Sequence, residues 1–343
     1  MKQDKQTKYF TILTTGRTGS DYLQSCLDGV PGILTLPGQT YYKNFFDSLK
    51  KDFKNIKNEE LIDFFLIKYT NLFIEDKIEN KKANIDIVKF KKIFLEISKN
   101  QKLTKRIFVE NIFKTYLNIS KKKNKKFKAI VNHSHTVTET DFFLELFPES
   151  KLLVTIRNPL ENLKSGIENW RKYEKKYYGE RNYFYTKRIL YDLRFAKRFK
   201  RKVFFVKLEN CFYKKEKLKL SKFLGVKYSN KINIATYNGK IWIGDKLSQN
   251  RTTDGSFNYR LLKPKKNNFY SQKDISTLSY LYKEYKKFGY LNKYNLSFGK
   301  RVRYFFNCFL PLEFEKKTFI EKPLKFDNYK FFIKRIILCL CNL

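Results

Sequence analysis

A chain of 343 residues with a formal net charge of +40, 42% hydrophobic and 17% aromatic residues fits one large domain or two small ones and can bury a core. This excludes a disordered polybasic chain. The charge points to anionic ligands, glycans, nucleic acid or a membrane surface. The lysines are spread throughout alongside abundant Asn, Ile, Phe and Tyr, a pattern that A/T-rich coding produces as readily as a selected patch does. No zinc-finger spacing or RRM signature is present, so no specific nucleic-acid partner is expected.

Tyr9 to Thr14 is an apolar, β-branched run that predicts a buried strand. Gly16 and Gly19 bracket Arg17 and Thr18, where the backbone can turn tightly and approach a ligand. A helix is predicted next, with Ser20 or Asp21 as its cap and Tyr22, Leu23, Cys26 and Leu27 as its apolar residues. Strand, glycine loop and helix start together make an anion site, because free N–H groups and the helix dipole converge there. A Walker A loop would need Lys and then Ser or Thr after the last Gly; here Ser20 and Asp21 follow Gly19, which disfavours ATP or GTP with Mg²⁺.

Ile33 to Leu36 reads as a short second strand closed by Pro37-Gly38. From 45 to 120 apolar residues recur at helical spacing, with Leu61, Phe64, Phe65 and Leu72 as one stripe, and predict three or four helices inserted between strands. Lys121–Lys126 reads as a solvated loop. Lys128–Val131 is a third strand ending in Asn132-His133-Ser134-His135, and Thr138 with Asp141 resembles a capping box for the helix that follows. Lys151–Ile156 is the clearest buried strand. Arg157 closes it, Asn158 caps the next helix, and Pro159 takes its first position. Val203–Leu208 is another strand, ending at Glu209-Asn210, and Glu216–Leu224 is a helix stopped by Gly225. Asn230–Asn268, with Asn238-Gly239, Trp242 and Arg251, reads as a long irregular stretch, and Ile275–Phe288 as a helix.

Strands alternating with helices predict an α/β fold: a mostly parallel central sheet with flanking helices and a helical insertion. Ligands in such sheets lie at the carboxyl ends of the strands. The loop Gly16–Asp21, Asn132–His135, Arg157 and Glu209 all fall at such ends and are candidates for one site.

The five cysteines, Cys26, Cys211, Cys308, Cys339 and Cys341, show neither a disulfide framework nor metal spacing, and no metal is expected. Reduced thiols, a polar N-terminus up to Lys8 and the absence of an apolar run of ~18 residues give a cytoplasmic protein as the expectation.

Arg17-Thr18-Gly19-Ser20 resembles the 5′-phosphosulfate loop of the sulfotransferases, where Lys or Arg precedes a small residue, Gly and Ser or Thr. Arg157 and Ser165, eight positions apart and linked by Asn158-Pro159, match the Arg and Ser that hold the donor's 3′-phosphate in that family. Phe205-Val-Lys-Leu-Glu209 and Phe223-Leu-Gly-Val226 are weaker similarities. The resemblance covers roughly residues 8–38 and 128–256. It implies a P-loop-like sulfotransferase fold over 1–300, followed by a basic, aromatic tail over 301–343. It further implies 3′-phosphoadenosine 5′-phosphosulfate (PAPS) as co-substrate, its phosphosulfate on Gly16, Arg17, Thr18, Gly19, Ser20 and Asp21 and its 3′-phosphate on Arg157 and Ser165. The acceptor implied by family frequency is a glycan or glycolipid hydroxyl.

The only two histidines, His133 and His135, lie where cytosolic sulfotransferases carry Lys-Thr/Ser-His at a strand end. Aligned so, His133 takes the Lys place and His135 is the base, with Arg17 stabilising the leaving oxygen; His133 is the alternative base, and other families use Glu. Two departures stand out: Arg17 replaces the usual Lys, and Asp21 stands where Ser or Thr is common. The rival readings are a P-loop-type nucleotide phosphotransferase and a non-enzymatic basic RNA- or membrane-binding protein. For the tail, Phe331, Phe332, Ile336, Ile337, Leu338, Leu340 and Leu343 surround Lys330, Lys334 and Arg335. They predict either a last core helix or a peripheral membrane contact with the basic residues toward headgroups.

Overall fold

The structure is a computed structural model that describes residues 7–49, 52–73, 85–120, 126–174, 179–199, 202–211, 213–244, 254–257, 269–290, 298–321 and 325–342. Most of the Lys121–Lys126 run and Arg251 lie outside the described residues. The first elements are β1 (Lys8–Thr14), α1 (Ser20–Asp28), β2 (Ile33–Thr35), α2 (Tyr42–Asp47), α3 (Asn58–Phe73), α4 (Ile87–Ser98), α5 (Lys105–Ile119), β3 (Ala129–Ser134) and α6 (Val137–Leu146). There follow β4 (Lys151–Ile156), α7 (Pro159–Glu174), α8 (Gly179–Lys197), β5 (Val203–Lys207), α9 (Lys214–Leu224), β6 (Thr236–Tyr237) and β7 (Lys240–Ile241). The chain closes with α10 (Gln272–Thr277), α11 (Tyr280–Tyr285), α12 (Phe298–Cys308), α13 (Glu313–Glu321) and α14 (Phe326–Leu340). Among the described residues, no helix is long and apolar enough to cross a membrane.

The chain divides into two compact units. The first comprises Met1–Thr14, Gly19–Thr155 and Phe199–Leu261 and contains a five-stranded sheet in the order β2-β3-β1-β4-β5. The pairs β2–β3, β3–β1 and β1–β4 are all parallel. Strand alternation divides two cores. Leu34 and Ile130 face one formed with α2 to α5, around Phe45, Phe65, Phe94 and Phe108. Ile33, Ala129 and Val131 face the other, with Leu23, Cys26 and Leu27 of α1 and Leu220 and Leu224 of α9. The insertion between β2 and β3 is therefore a helical layer with its own aromatic core. Its stripe is not uniform, since Leu61 and Phe65 are buried while Phe64 is exposed.

The second unit comprises Thr15–Thr18, Ile156–Arg198 and Leu262–Leu343. Within it α8 packs against α7, α11, α13 and α14. Asn158 Oδ1 accepts the N–H groups of Leu160 at 3.1 Å and Glu161 at 3.3 Å, the cap that the sequence predicts for α7.

Local details depart from expectation for identifiable reasons. The N-cap of α1 is Gly19, left-handed at φ 80°, without a side-chain bond; Ser20 and Asp21 are already inside the helix. The cap of α6 is Thr136, whose hydroxyl accepts the Glu139 N–H at 3.2 Å, in place of Thr138. Glu139 turns instead to the start of α2, accepting from the backbone N–H groups of Lys43 (2.7 Å) and Asn44 (2.9 Å). Asn238-Gly239 (φ 47° and 74°) makes a two-residue turn, so a β6–β7 hairpin interrupts the stretch expected to be irregular. The single helix expected over Ile275–Phe288 is broken between α10 and α11. The hydroxyl-rich Ser276-Thr277-Leu278-Ser279 run offers side-chain competitors to the helical ladder, and the Thr277 hydroxyl donates back to the Lys273 carbonyl.

Candidate functional site

In the first unit the site grows out of the register of β1 and β3. Ile12 pairs with His133 and Leu13 with Ser134, so the sequence after β3 begins where β1 is ending. Residues 131, 133 and 135 share one parity, and Val131 belongs to the core beneath α1. His133 and His135 accordingly meet the first turns of α1, with their rings 4.8 Å apart edge to face. Asn132 and Ser134 carry the opposite parity. Asn132 accepts from Thr40 Oγ1 at 2.8 Å and donates to Ser134 Oγ at 2.9 Å.

From α1, Ser20, Asp21 and Gln24 reach the two imidazoles. His135 Nε2 lies 3.5 Å from Ser20 Oγ and 3.7 Å from Asp21 Oδ2, and His133 Nδ1 lies 3.9 Å from Asp21 Oδ1. Burial pushes the Asp21 carboxyl up, but the neighbouring His135 and His133 and the Gln39 amide outweigh it and hold Asp21 well below the usual carboxylate range. Asp21 thus neither caps α1 nor stands alone. Gln39 Nε2 donates to its Oδ1 at 2.8 Å.

Two glutamines fix the protons on the histidines. Gln24 Nε2 donates to the carbonyls of Leu36 (2.7 Å) and Gly38 (2.8 Å), so its Oε1, 2.8 Å from His133 Nδ1, must accept. His133 Nδ1 therefore carries hydrogen. Burial pulls this imidazole down to about 3, so it is neutral near pH 7, and its buried Nε2 has no hydrogen-bond partner. Gln39 Nε2 has two hydrogens. One goes to Asp21, and the other points at His135 Nε2, 2.8 Å away, while Tyr41 Oη donates to Gln39 Oε1 at 2.6 Å. His135 Nε2 is therefore an acceptor with its lone pair directed at Gln39.

Asp21, His133 and His135 offer ligand atoms within 4.8 Å of one another, a grouping that the sequence analysis, finding no metal set, did not anticipate. The hydrogen bonds argue against a metal on His133 Nδ1. A metal on His133 Nδ1 would displace its proton and strand Gln24 Oε1, which Leu36 and Gly38 hold in place.

In the second unit, Thr15–Thr18 carries the glycine loop, with Gly16 at φ 84° and Arg17 at φ 40°. A Cβ at Gly16 would lie 3.3 Å from the Tyr185 ring and 3.6 Å from an Arg188 nitrogen, so α8 closes tightly over this turn. Asn162 of α7 donates to the Thr15 carbonyl (3.3 Å) and hydroxyl (3.2 Å). It lies between Arg157 and Ser165 in sequence and ties the helix that begins after Arg157 to the loop. Arg157 is largely buried and lies 3.9 Å from Glu161, while Ser165 is half-buried on α7. Arg188 is paired with Asp192 at 2.9 Å.

The predicted residues thus fall into two constellations. Ser20, Asp21, His133 and His135 come together in the first unit. In the second, the Thr15–Thr18 loop and α7, which begins after Arg157 and carries Ser165, are linked through Asn162. Gln24, Gln39 and Asn162 were missed. Gln24 had a signal, since it stands one helical turn after Ser20; Gln39 and Asn162 had none.

No family model matches the chain, and no curated protein matches it. In structure the chain is similar to the sulfotransferase domain of the Synechococcus PCC 7002 olefin synthase, at 14% identity and a TM-score of 0.43 over 87% of this chain and 99% of that one. It is similar to the sulfotransferase domain from the curacin biosynthetic pathway, at 15% identity and a TM-score of 0.44 over 86% and 95%. Sulfotransferase STF9 from Mycobacterium avium is a third similar structure, at 12% identity and a TM-score of 0.36 over 66% of each chain.

Proposed function

We propose that the chain is a PAPS-dependent sulfotransferase that moves a sulfuryl group to a hydroxyl of a glycan or glycolipid. The observation that carries this reading is the Asn162 bridge. It joins the glycine loop through Thr15 to α7, which follows Arg157 and carries Ser165, the two stretches that resemble the family's phosphate-binding motifs. Backbone N–H groups of Gly16–Asp21 and the start of α1 would hold the phosphosulfate. Arg157 and Ser165 would hold the 3′-phosphate, Arg157 exchanging its 3.9 Å approach to Glu161 for a charge-assisted pair. Tyr185 and Arg188 pack close against Gly16, and its φ of 84° disfavours any side chain there.

In the transfer the acceptor oxygen bonds to sulfur, and the bond from sulfur to the bridging phosphate oxygen breaks. Arg17 offsets charge on that departing oxygen. His135 takes the acceptor proton at Nε2, which accepts the Gln39 hydrogen bond and must then release it. Asp21, 3.7 Å away, stabilises the imidazolium that results. His133 is unsuited as the base, because its Nδ1 is committed to Gln24 and burial disfavours its charged form. The acceptor class rests on the family resemblance alone. A screen with labelled PAPS against a glycan and glycolipid panel tests the reading; Mg²⁺-dependent ATP turnover with no sulfuryl transfer would replace it with a phosphotransferase.

A further inference from the structure

The C-terminal helices carry a surface that the proposed chemistry does not use. On α12, Val302, Phe305 and Phe306 recur at helical spacing along one face, and with Phe309 just past the helix end all are exposed, Phe306 at 64%. Leu310, also past the helix end, is exposed, while Tyr304 and Cys308 on the opposite side of α12 are buried. On α14 a second stripe, Phe326, Tyr329, Ile333 and Ile337, is also exposed, with Phe326 at 80%. Ten of the nineteen large apolar side chains exposed among the described residues lie between Val302 and Ile337, so this is a concentration and not ordinary scatter.

These faces are held by a buried anchor. Arg335 of α14 is 1% exposed and forks onto Glu315 of α13 (Nε to Oε1 3.0 Å, Nη2 to Oε2 2.9 Å). It also donates to the carbonyls of Cys308 (2.6 Å) and Leu310 (3.0 Å) at the end of α12. Of the two alternatives for the tail, Arg335 itself follows the core helix and not the headgroup-facing one. One side of α14 serves the core, with Leu338 and Cys339 buried, and the other is left in water. Lys316 and Lys317 on α13 and Lys325, Lys330 and Lys334 on or beside α14 are all exposed, against the exposed acids Glu321 and Asp327 in the same stretch, and Lys316 pairs with Glu313.

We propose that the exposed face of α12, with the stripe of α14, docks the protein peripherally on an anionic membrane surface. Exposed Phe and Ile on short amphipathic helices, in a stretch where exposed Lys outnumber exposed acids, match a headgroup–acyl boundary, where rings enter and ammonium groups remain with phosphates. The charge decides between this occupant and a second copy. A chain of net charge +40 repels itself and is drawn to an anionic bilayer. The inference rests on the surface alone and stands or falls independently of the sulfuryl-transfer reading.

Vesicle flotation of the full chain tests it, with phosphatidylcholine alone and with phosphatidylcholine mixed with phosphatidylglycerol. The wild type is expected to float with the mixed vesicles and far less with the neutral ones. Phe305→Ser/Phe306→Ser/Phe309→Ser, with an unchanged circular dichroism spectrum, should bind the mixed vesicles at least ~10-fold more weakly. If the triple variant misfolds, Phe306→Asp alone carries the same readout. Equal binding by wild type and variant would overturn the proposal in favour of unspecific lysine electrostatics, and no binding by the wild type would also overturn it. A wild-type dimer in sedimentation velocity that these substitutions make monomeric would assign the face to self-association instead.

Discussion

His133 should make the protein acid-sensitive in a defined window. Its ring is 1% exposed, its Nδ1–H is given to Gln24, and burial lowers it from an ordinary 6.5 to about 3. Between those values the unfolded chain binds a proton that the folded chain refuses, so stability is full above the unfolded value and falls as pH drops toward 3. At 1.36 kcal/mol per unit, moving from pH 7 to pH 4.5 should cost about 2–3 kcal/mol from this residue. Asp21, held well below the usual carboxylate range, stays ionised across that window, and His135 is present in both proteins to be compared. Urea unfolding of wild type and His133→Gln at several pH values isolates the effect. The variant is expected to be less stable at pH 7, because it loses packing and the Gln24 bond, but to lose less stability on acidification. Parallel stability–pH curves would refute the reasoning, since His133 would then titrate alike in both states.

Three further outcomes follow from the same contacts. His135→Ala should leave binding of adenosine 3′,5′-bisphosphate intact and lower turnover by ~10²–10⁴-fold in a sulfuryl-transfer assay; unchanged turnover would place the base elsewhere. Gln39→Leu removes the donor that bridges Asp21 and His135, and should cost ~1.5–3 kcal/mol by urea unfolding; a neutral result would mean that water replaces the amide without loss. Arg335→Leu strands the buried Glu315 and should cost ~3–5 kcal/mol, whereas Arg335→Leu/Glu315→Leu should recover part of that. A double variant as unstable as the single one would show that the unpaired charge is not the cause.

The frame was legible because its signals are local. Tyr9–Thr14, the two glycines and the helix after them follow from β-branched alternation and turn chemistry, and Asn158-Pro159 announced the start of α7 as it stands. Long-range contacts decided what was not legible. Ser20 and Asp21 look like caps, but β3 places two histidines against them, so the helix starts on Gly19 instead. Glu139 lies at the right offset from Thr136 for a capping box, yet it serves α2, nearly a hundred residues earlier. The tautomers of His133 and His135 depend on Gln24 and Gln39, whose amides are oriented by the carbonyls of Leu36 and Gly38 and by Asp21. No spacing rule carries that information. In the tail the apolar pattern was visible, but only packing separates Arg335 in the core from Phe326 in solvent.

The central claim is that Arg157 and the glycine loop serve one nucleotide bearing both a 5′- and a 3′-phosphate. Isothermal titration of adenosine 3′,5′-bisphosphate into wild type and Arg157→Ala tests it directly. Saturable one-to-one binding to the wild type is expected, with a loss of ~1.5–3 kcal/mol in the variant, roughly ten- to a hundredfold in Kd, and with adenosine 5′-monophosphate weaker and indifferent to the substitution. Equal affinity of both proteins for the bisphosphate, or no binding to the wild type, would contradict it.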